Sequence, residues 1–293
     1  MKSILKRPPW IRSSLSWDDS FSDVRTLVKE LGLNTVCVEA ACPNRCQCWS
    51  DGHVTFMVLG RVCTRGCLFC NVEKGTPVPP DAAEAANIAI AAKKLNARYV
   101  VITSVTRDDL PDRGAGHFVS IVRQLKSSLP GTAVELLIPD LDAREELIAR
   151  TTRSGAEVIG HNIEMPERLY SRMRPGADYH RSLRTIRTIA ELRERGQKVL
   201  VKSALMLGLG ERPEEVLQTL RDLKEAGVDI VYIGQYLSPS ADHWPIEKYY
   251  TPEQFESLKE ECFGMGFRSV LSGPMVRSSY KAAEAYRSAL DKS

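Results

Sequence analysis

Three cysteines stand close together in the segment RVCTRGCLFCN, residues 61–71: Cys63, Cys67 and Cys70. Thiolates at this spacing face one point in space, and they are soft ligands that suit iron–sulfur clusters, zinc or Cu(I). A structural zinc site normally has four protein ligands, whereas a catalytic metal centre keeps one position open. His53 lies ten residues before Cys63 and does not fit the paired ligand spacing of a zinc ribbon. The pattern therefore predicts a metal centre with three protein ligands.

A second set of cysteines precedes it in VCVEAACPNRCQCW, residues 36–49, at Cys37, Cys42, Cys46 and Cys48. Pro43 and Asn44 favour a turn there, and a turn can wrap thiolates around a cluster. This segment is a second candidate metal site. Cys262 is the only cysteine after residue 70, and its helical spacing from Phe255 and Leu258 predicts a buried small hydrophobic residue.

The composition is that of a globular protein that works in a reducing compartment. Hydrophobic residues make up 43% and charged residues 26% of the 293 residues, and the net charge is +3. This charge is too small to indicate a nucleic-acid partner. No run of about 18 apolar residues indicates a membrane span, and residues 1–16 are basic but lack the apolar stretch of a secretory signal. We expect a cytoplasmic protein, whose cysteines serve metal chemistry more than disulfides.

Hydrophobic periodicity predicts the elements that position the cysteines. A basic arm at 1–16 is expected to be mobile or to pack only on the surface, and a first helix runs from residue 18 or 19 to residue 31. Strands are predicted at 55–59, 99–103, 134–138, 158–161, 199–205, 230–236 and 269–271. Helices are predicted at 82–95, 117–127, 142–153, 179–195, 213–226, 252–265 and 279–289.

The alternation of strands and helices predicts an α/β fold, a partial parallel (β/α)6 barrel like a TIM barrel, with a cysteine-bearing N-terminal extension and a short C-terminal tail. We place the extension at 1–52, the barrel at 53–272 and the tail at 273–293. A Rossmann unit is disfavoured because no G-x-G-x-x-G follows the first strand. The cysteine loop at 61–71 follows that strand instead, at the mouth where barrels place their chemistry.

The spacing Cys-x-x-x-Cys-x-x-Cys, with Phe69 before the last cysteine, resembles the signature of the radical S-adenosylmethionine (radical SAM) enzymes. Within them, the chain from about Trp17 to Tyr280 closely resembles the lipoyl synthases. Besides the spacing of Cys37, Cys42 and Cys48, with CPN and a closing CW, the similar segments are TSVTRDDLPDRGA (103–115), GHNIE (160–164), MRPGADYHRSL (173–183), VKSALMLGLGE (201–211), GQYL (234–237) and RSSY (277–280).

The resemblance implies two 4Fe-4S clusters and S-adenosylmethionine as cofactors. Cys63, Cys67 and Cys70 would hold the cluster that cleaves S-adenosylmethionine to a 5′-deoxyadenosyl radical. Cys37, Cys42 and Cys48, with Ser279 chosen over Ser278 as the fourth ligand, would hold a second cluster that is consumed as the sulfur source. Sulfur would enter at C6 and C8 of an octanoyl chain carried by a lipoyl carrier protein or domain. A flavodoxin or ferredoxin would supply electrons.

Several other residues receive expectations. Arg277 would guard the second cluster. Polar strand ends would line the barrel mouth, either to hold the adenosyl and methionyl groups or as satisfied structural polarity: Thr103, Ser104, Asn162, Glu164, Lys202, Met206 and Gln235. Arg107, Asp108 and Asp109 form a charged loop, which we interpret as solvated rather than as a substrate clamp. Cys46 departs from the family pattern and is expected to stay free near the cluster.

Two other sulfur-inserting enzymes and one binding module are the alternatives. Biotin synthases carry their second cluster on cysteines within the barrel strands, and the strands predicted here contain none. Methylthiotransferases place an early cysteine triad in a full extra domain, for which the 62 residues before Cys63 leave no space. A non-catalytic zinc or iron–sulfur module would explain the cysteines but not a barrel behind them.

Overall fold

The computed structural model describes residues 5–13 and 18–292. Its main feature is one sheet of seven parallel strands in the order β1-β4-β5-β6-β7-β8-β9, and two further short strands, β2 and β3, pair with each other. The strands are β1 (Thr55–Val58), β2 (Val62–Cys63), β3 (Glu73–Lys74), β4 (Tyr99–Ser104), β5 (Ala133–Leu137), β6 (Val158–Gly160), β7 (Leu200–Leu207), β8 (Ile230–Gln235) and β9 (Ser269–Gly273).

Helices connect the strands of this sheet, as the right-handed crossovers of a parallel sheet require. They are α1 (Asp19–Glu30), α2 (Val36–Glu39), α3 (Arg45–Ser50), α4 (Glu84–Lys94), α5 (Ala115–Ser128), α6 (Glu145–Thr152), α7 (Glu167–Met173), α8 (Tyr179–Glu194), α9 (Pro213–Glu225), α10 (Pro252–Gly264) and α11 (Ala282–Leu290), with a 3₁₀ turn at Leu141–Ala143. No helix in the described part of the chain is long and apolar enough to cross a membrane.

The predicted α/β fold, a partial parallel barrel, is confirmed, and each predicted strand lies within a few residues of an observed one. Pro213 and Pro252 occupy the first turns of α9 and α10, where proline loses no hydrogen bond. Glycines follow α6, α8 and α9 with positive φ, at Gly155, Gly196 and Gly227. These residues end the helices because glycine adopts the left-handed conformation without a steric cost.

Three short helices, α2, α3 and α7, and the β2–β3 pair were not predicted. The helices α2 and α3 span only four and six residues, and they lie in the segment predicted as a turn. A helix this short completes too few turns to show an apolar stripe. Both nevertheless matter for function, since α2 carries Cys37 and α3 carries Cys46 and Cys48.

The last helix shows how far the sheet curls. The helix α11 contacts β4, β8 and β9 together, although β4 and β9 lie near opposite ends of the strand order. The sheet must therefore bend into a partial barrel, with α11 packed across its open side. Ala285 and Ala289 are buried there beside Tyr232 of β8. These small side chains let α11 approach the strands closely.

The described part of the N-terminal arm, residues 5–13, does more than cover the surface. Ile11 is buried, and the indole of Trp10 donates a 3.1 Å hydrogen bond to the carbonyl of Tyr250. The expectation of a mobile or purely superficial arm is therefore wrong for these residues. Residues 1–4 and 14–16 of the predicted arm lie outside the described residues.

Candidate functional site

A cavity of about 860 Å³ at the mouth of the partial barrel gathers most of the predicted site residues. Its walls combine four parts of the chain: the N-terminal extension, the cysteine loop, the strand ends and the C-terminal tail. The predicted residues that line it are Cys37, Cys42, Cys48, Cys70, Thr103, Ser104, Asn162, Glu164, Met206, Gln235, Arg277 and Ser279. Cys63, Cys67 and Lys202 are outside this lining.

The loop cysteine group, which we define as Cys63, Cys67 and Cys70, is held in a closed loop. The strands β2 and β3 pair in parallel at the loop's two ends, with Cys63 opposite Lys74. The sulfur of Cys63 accepts hydrogen bonds from the backbone N–H groups of Arg65 (3.4 Å) and Thr106 (3.3 Å). N–H groups that donate to a ligand sulfur also help to orient it towards a bound metal.

The tip of the loop is fixed to two other connections of the barrel. The backbone N–H of Leu68 donates to the carbonyl of Met173, and the carbonyl of Leu68 accepts from the N–H of Trp244, both at 2.9 Å. Because Leu68 follows Cys67 directly, these bonds set the position of the Cys67 backbone. The segments around residues 173 and 244 thus hold the tip of the cysteine loop in place.

Arg65 anchors the same loop through ion pairs with two aspartates. Its guanidinium forms paired hydrogen bonds with Asp140 (2.7 and 2.9 Å) and with Asp108 (2.8 and 2.9 Å). Burial alone raises the pKa of Asp140, but the hydrogen bond from Arg65 and the nearby positive charges, including those of Arg65 and Arg181, together outweigh burial and lower this pKa. The planar guanidinium suits this double fork, which a lysine cannot reproduce.

The expectation of a solvated charged loop at 107–109 is wrong for Arg107 and Asp108, whereas Asp109 is exposed. Arg107 is buried, donates to the carbonyl of Leu59 at 3.0 Å and pairs with Asp109 at 2.8 Å. Asp108 pairs with Arg65, as described above. Asp108 therefore supports the cysteine loop directly, and Arg107 supports the end of the preceding strand at Leu59.

We expect Arg65→Met to destabilise the fold by about 3–5 kcal/mol, because it leaves the buried Asp140 with less compensation. The measurement is urea unfolding followed by circular dichroism. Arg61→Met is the matched control from the same loop, because its ion pair with Glu73 is exposed on both sides and should contribute little to stability. Equal losses in the two variants would contradict the role given to Arg65.

The N-terminal cysteine group, which we define as Cys37, Cys42 and Cys48, lies on α2, in the following turn and on α3. Burial raises the pKa of Cys37 to about 11 and that of Cys48 to about 12, and negative charge at their neighbours in the group adds to both shifts. Three crowded thiolates, of which Cys37 is buried and the other two are half-buried, need a positive centre between them. An iron–sulfur cluster supplies one, and its binding releases the thiol protons.

Two asparagines connect this group to the rest of the site. Asn44, from the CPN motif, donates its side-chain amide to the carbonyl of Met275 in the tail at 2.7 Å. Asn71, which follows Cys70, donates to the carbonyl of Glu39 at 2.8 Å. The extension is therefore tied on one side to the C-terminal tail and on the other to the cysteine loop.

The tail brings Arg277, Ser278 and Ser279 to the cavity wall. A side chain at Gly234 would collide with the carbonyl oxygen of Val276, so the glycine of the GQYL segment admits the tail. Neither serine caps a helix, because the N-cap of α11 is Lys281. Burial lowers the pKa of Arg277, and negative charge at Cys42 opposes that shift, which places the guanidinium beside the N-terminal cysteine group.

The residues predicted to contact the cofactor differ in whether their polar groups are already hydrogen-bonded within the protein. The buried hydroxyl of Ser104 has no hydrogen-bond partner, and Glu164 is half-buried, with a positive φ and a pKa that is raised mainly by loss of solvent around the carboxyl. Thr103 donates to the carbonyl of Leu137 at 3.1 Å. Gln235 is fully used, since its amide donates to three carbonyls and accepts the N–H of Tyr250.

Lys202 is placed differently from the expectation. Its ammonium forms a 2.6 Å ion pair with Glu135, deep in the barrel, and it lies 4.0 Å from the centre of the Tyr232 ring. This placement gives no support to a cofactor contact. Asn162 and Met206, by contrast, line the cavity with Ser104 and Glu164.

Sequence reasoning missed Arg174, from the MRPGADYHRSL segment. Burial raises the pKa of Cys67, while the charge of Arg174 and a hydrogen bond from it lower this pKa. Its Nη1 donates to the hydroxyl of Tyr170 at 2.7 Å, and its Nε is buried without a partner. Arg174 can therefore balance negative charge at the loop cysteine group. Only the position of this arginine inside a matched segment could have indicated it.

Neither cysteine group is shaped for a single ion. In residues 5–13 and 18–292, no three His, Cys, Asp or Glu side chains form a group that could hold one metal ion. A four-iron cluster needs a wider arrangement, because each thiolate binds a different iron atom. Mutual charge effects connect Cys63, Cys67 and Cys70, and Cys37, Cys42 and Cys48, so each group forms one neighbourhood. The donor chemistry fits two clusters.

Comparison with known proteins agrees with this geometry. Residues 57–223 match the Radical SAM superfamily. Lipoyl synthase from Chlorobium limicola is 48% identical over 283 residues, which cover 95% of this chain and 94% of that protein. Lipoyl synthase from Nitratidesulfovibrio vulgaris is 46% identical, with coverages of 96% and 93%. Lipoyl synthase 1, mitochondrial, from Pisum sativum is 44% identical, with coverages of 97% and 77%.

Solved structures show a similar fold at low sequence identity. Methylornithine synthase aligns with a TM-score of 0.59 at 16% identity, over 94% of this chain and 81% of that one. The FeFe-hydrogenase maturase HydG from Carboxydothermus hydrogenoformans aligns with a TM-score of 0.54 at 13% identity, over 93% and 70%. These likenesses concern the fold alone.

Proposed function

We propose that this chain, which belongs to the lipoyl synthase family of radical SAM enzymes, inserts two sulfur atoms at C6 and C8 of an octanoyl chain held by a carrier protein. Membership of the family makes the protein an enzyme of lipoate biosynthesis that uses S-adenosylmethionine and two 4Fe-4S clusters. The proposal adds the reaction details, the source of the sulfur and the residues for each step.

We assign the loop cysteine group to the cluster that binds S-adenosylmethionine, and the N-terminal cysteine group with Ser279 to the second cluster. When bound, the clusters supply an electron for cleavage of S-adenosylmethionine and sulfur for the product. Ser279 offers an oxygen ligand, which suits a soft cluster less well than a thiolate does. A weak fourth ligand is consistent with a cluster that must open.

The observation that carries the proposal is the shared cavity. Cys70 of the loop cysteine group and all three members of the N-terminal cysteine group line the same space. A substrate carbon held between the two groups could therefore be reached both by the radical and by the sulfur. Leu137, Val101 and Ala204 form an apolar part of the same wall. An acyl chain can bury its methylene groups against such a wall, and each buried methylene contributes about 0.8 kcal/mol.

The remaining parts of the proposal concern partners and organisation. The octanoyl chain would arrive on a lipoyl carrier protein or domain, and a flavodoxin or ferredoxin would reduce the cluster. The division into residues 1–52, 53–272 and 273–293 is likewise proposed. The hydrogen bonds of Asn44 and Asn71 support a close functional association of the three parts.

Iron and sulfide counting after anaerobic reconstitution tests the proposal. We expect about eight irons per chain in the wild type and about four in the variant Cys63→Ala/Cys67→Ala/Cys70→Ala, because the two groups bind separate four-iron clusters. A triple alanine variant of the N-terminal cysteine group is the matched control and should also keep about four. A wild type with about four irons, or one that binds zinc instead, would contradict the assignment of a second cluster.

A further inference from the structure

Below its apolar wall, the cavity ends on a layer of polar side chains inside the barrel, which the proposed function does not use. Successive side chains of a strand point to opposite faces of the sheet. Tyr99, Val101 and Thr103 of β4 therefore share one face, and all three line the cavity. Thr103 is the nearest of them to the mouth, which the carboxyl ends of the parallel strands form. Tyr99 marks the deepest level that the cavity reaches on this strand.

Two other strands repeat this order from polar to apolar. Lys202 lies two residues before Ala204 on β7, and Glu135 lies two residues before Leu137 on β5. The apolar member of each pair lines the cavity and the charged member does not. Tyr232 of β8 does line it, and its ring centre lies 4.0 Å from the ammonium of Lys202. The cavity therefore ends on tyrosine side chains, with a buried ion pair behind them.

Side chains from four strands and α11 contact one another across the barrel at this level, and we call them the barrel floor: Tyr99, Glu135, Lys202, Tyr232 and Tyr286. The carboxylate of Glu135 accepts the hydroxyl of Tyr99 at 2.7 Å and pairs with Lys202 at 2.6 Å. The ring centres of Tyr99 and Tyr286 lie 5.5 Å apart. With the contact between Lys202 and Tyr232, the floor runs from α11 through β4, β5 and β7 to β8.

The barrel floor resists entry of a hydrocarbon chain. The side chains of Lys202 and Glu135 are 4% and 3% exposed, and a chain that separated them would leave two buried charges without compensation. Beneath them the interior is filled by the buried apolar side chains of Leu200 and Ile230. Beside α11 the cavity is bordered by Glu284, whose exposed carboxylate offers no apolar path around the floor. An acyl chain can therefore reach the floor but cannot pass below it.

We propose that the barrel floor is the depth stop for the acyl chain of the substrate: its tyrosine rings contact the terminal methyl group, C8, and so set the chain length that the enzyme accepts. The inference rests on the proposed function for the identity of the acyl group. With C8 on the floor, C6 and C8 lie beside Val101, Leu137 and Ala204, directly beneath the mouth. Two further carbons would lengthen an extended chain by about 2.5 Å, given C–C bonds of about 1.5 Å. A longer chain would therefore have to enter the floor or lift C6 and C8 out of position.

The test measures binding of acylated peptides to the full chain, with both clusters reconstituted anaerobically, S-adenosylmethionine present and no reductant, so that the substrate is not consumed. The probes are one short peptide whose lysine carries a hexanoyl, octanoyl or decanoyl group, and isothermal titration calorimetry gives each Kd. In an open apolar pocket, two added methylene groups would tighten binding about tenfold. Because the floor blocks them, the wild type should instead bind the decanoyl peptide at least tenfold more weakly than the octanoyl peptide.

Two variants move the floor in opposite directions. Tyr232→Ala removes a ring from it and should bind the decanoyl peptide at least as tightly as the octanoyl peptide. Tyr232→Phe is the matched control, since it keeps the ring and should keep the wild-type order. Ala204→Leu fills the apolar layer above the floor without opening a cavity in the core, and it should bind the hexanoyl peptide about tenfold more tightly than the octanoyl peptide.

The outcomes separate the inference from the proposed function. If the wild type binds the decanoyl peptide as tightly as the octanoyl peptide, the floor is not a depth stop. The inference is also wrong if Tyr232→Ala and Ala204→Leu, both folded by circular dichroism, keep the wild-type order. If Tyr232→Ala fails to fold, the wild type and Ala204→Leu decide the question. A wild type that binds none of the three peptides would instead overturn the proposed function.

Discussion

Cys67→Ala is expected to reduce cleavage of S-adenosylmethionine to background, whereas Cys42→Ala should leave cleavage intact and stop sulfur insertion. Cys67 belongs to the loop cysteine group, beside the positive charge of Arg174. Cys42 belongs to the N-terminal cysteine group, beside Arg277. Because the two groups are assigned to different clusters, loss of one thiolate should affect one step directly. The measurements are 5′-deoxyadenosine formed with dithionite as reductant, and thiolated octanoyl peptide detected by mass spectrometry.

Cys46→Ala is the matched control for both variants. Cys46 lies in α3 between the proposed ligands Cys42 and Cys48, but it is buried and is not part of the cavity wall. Its replacement should therefore leave both cleavage and insertion in place. If Cys42→Ala loses cleavage to the same extent as Cys67→Ala, the proposed division of labour between the two groups is wrong. If Cys46→Ala stops insertion, Cys46 is a ligand.

The parts of the structure that sequence predicted well are those with a strong local signal. The strands are short apolar runs between turn residues, and the cysteine loop follows the first of them, so its place at the barrel mouth followed from parallel topology. Cys37, Cys42 and Cys48 were predicted as one group because their spacing matches a family pattern. The six-residue helix that carries Cys48 was missed, since local periodicity needs more than two turns to be visible.

The side chains that sequence could not assign are those whose partners are distant in the chain. Arg107 and Asp108 were expected in solvent, but their partners, Leu59 and Arg65, are more than 40 residues away. Arg174 became a candidate only through the effect of its charge on the pKa of Cys67. A strand-end position indicates the neighbourhood of a residue, but the tertiary partner decides whether that residue faces a cofactor or supports the scaffold.

Lys202 provides the sharpest case, and we expect Lys202→Met to destabilise the fold by about 3–5 kcal/mol. The side chains of Lys202 and Glu135 are 4% and 3% exposed, and their charged atoms lie 2.6 Å apart. Tyr99 also donates its hydroxyl to Glu135 at 2.7 Å. Removal of the ammonium would leave the carboxylate buried with one neutral donor. Urea unfolding of the variant and the wild type measures the loss.

The double variant Lys202→Met/Glu135→Gln separates a structural role from a cofactor contact. Glutamine removes the uncompensated charge and still accepts the hydrogen bond from Tyr99, so most of the lost stability should return. If Lys202 only neutralises Glu135, the double variant should cleave S-adenosylmethionine with a KM close to that of the wild type. A stable double variant whose KM for S-adenosylmethionine rises tenfold or more, about 1.4 kcal/mol of binding, would instead restore the contact expected from the sequence. The ion pair would then hold Lys202 ready for the cofactor.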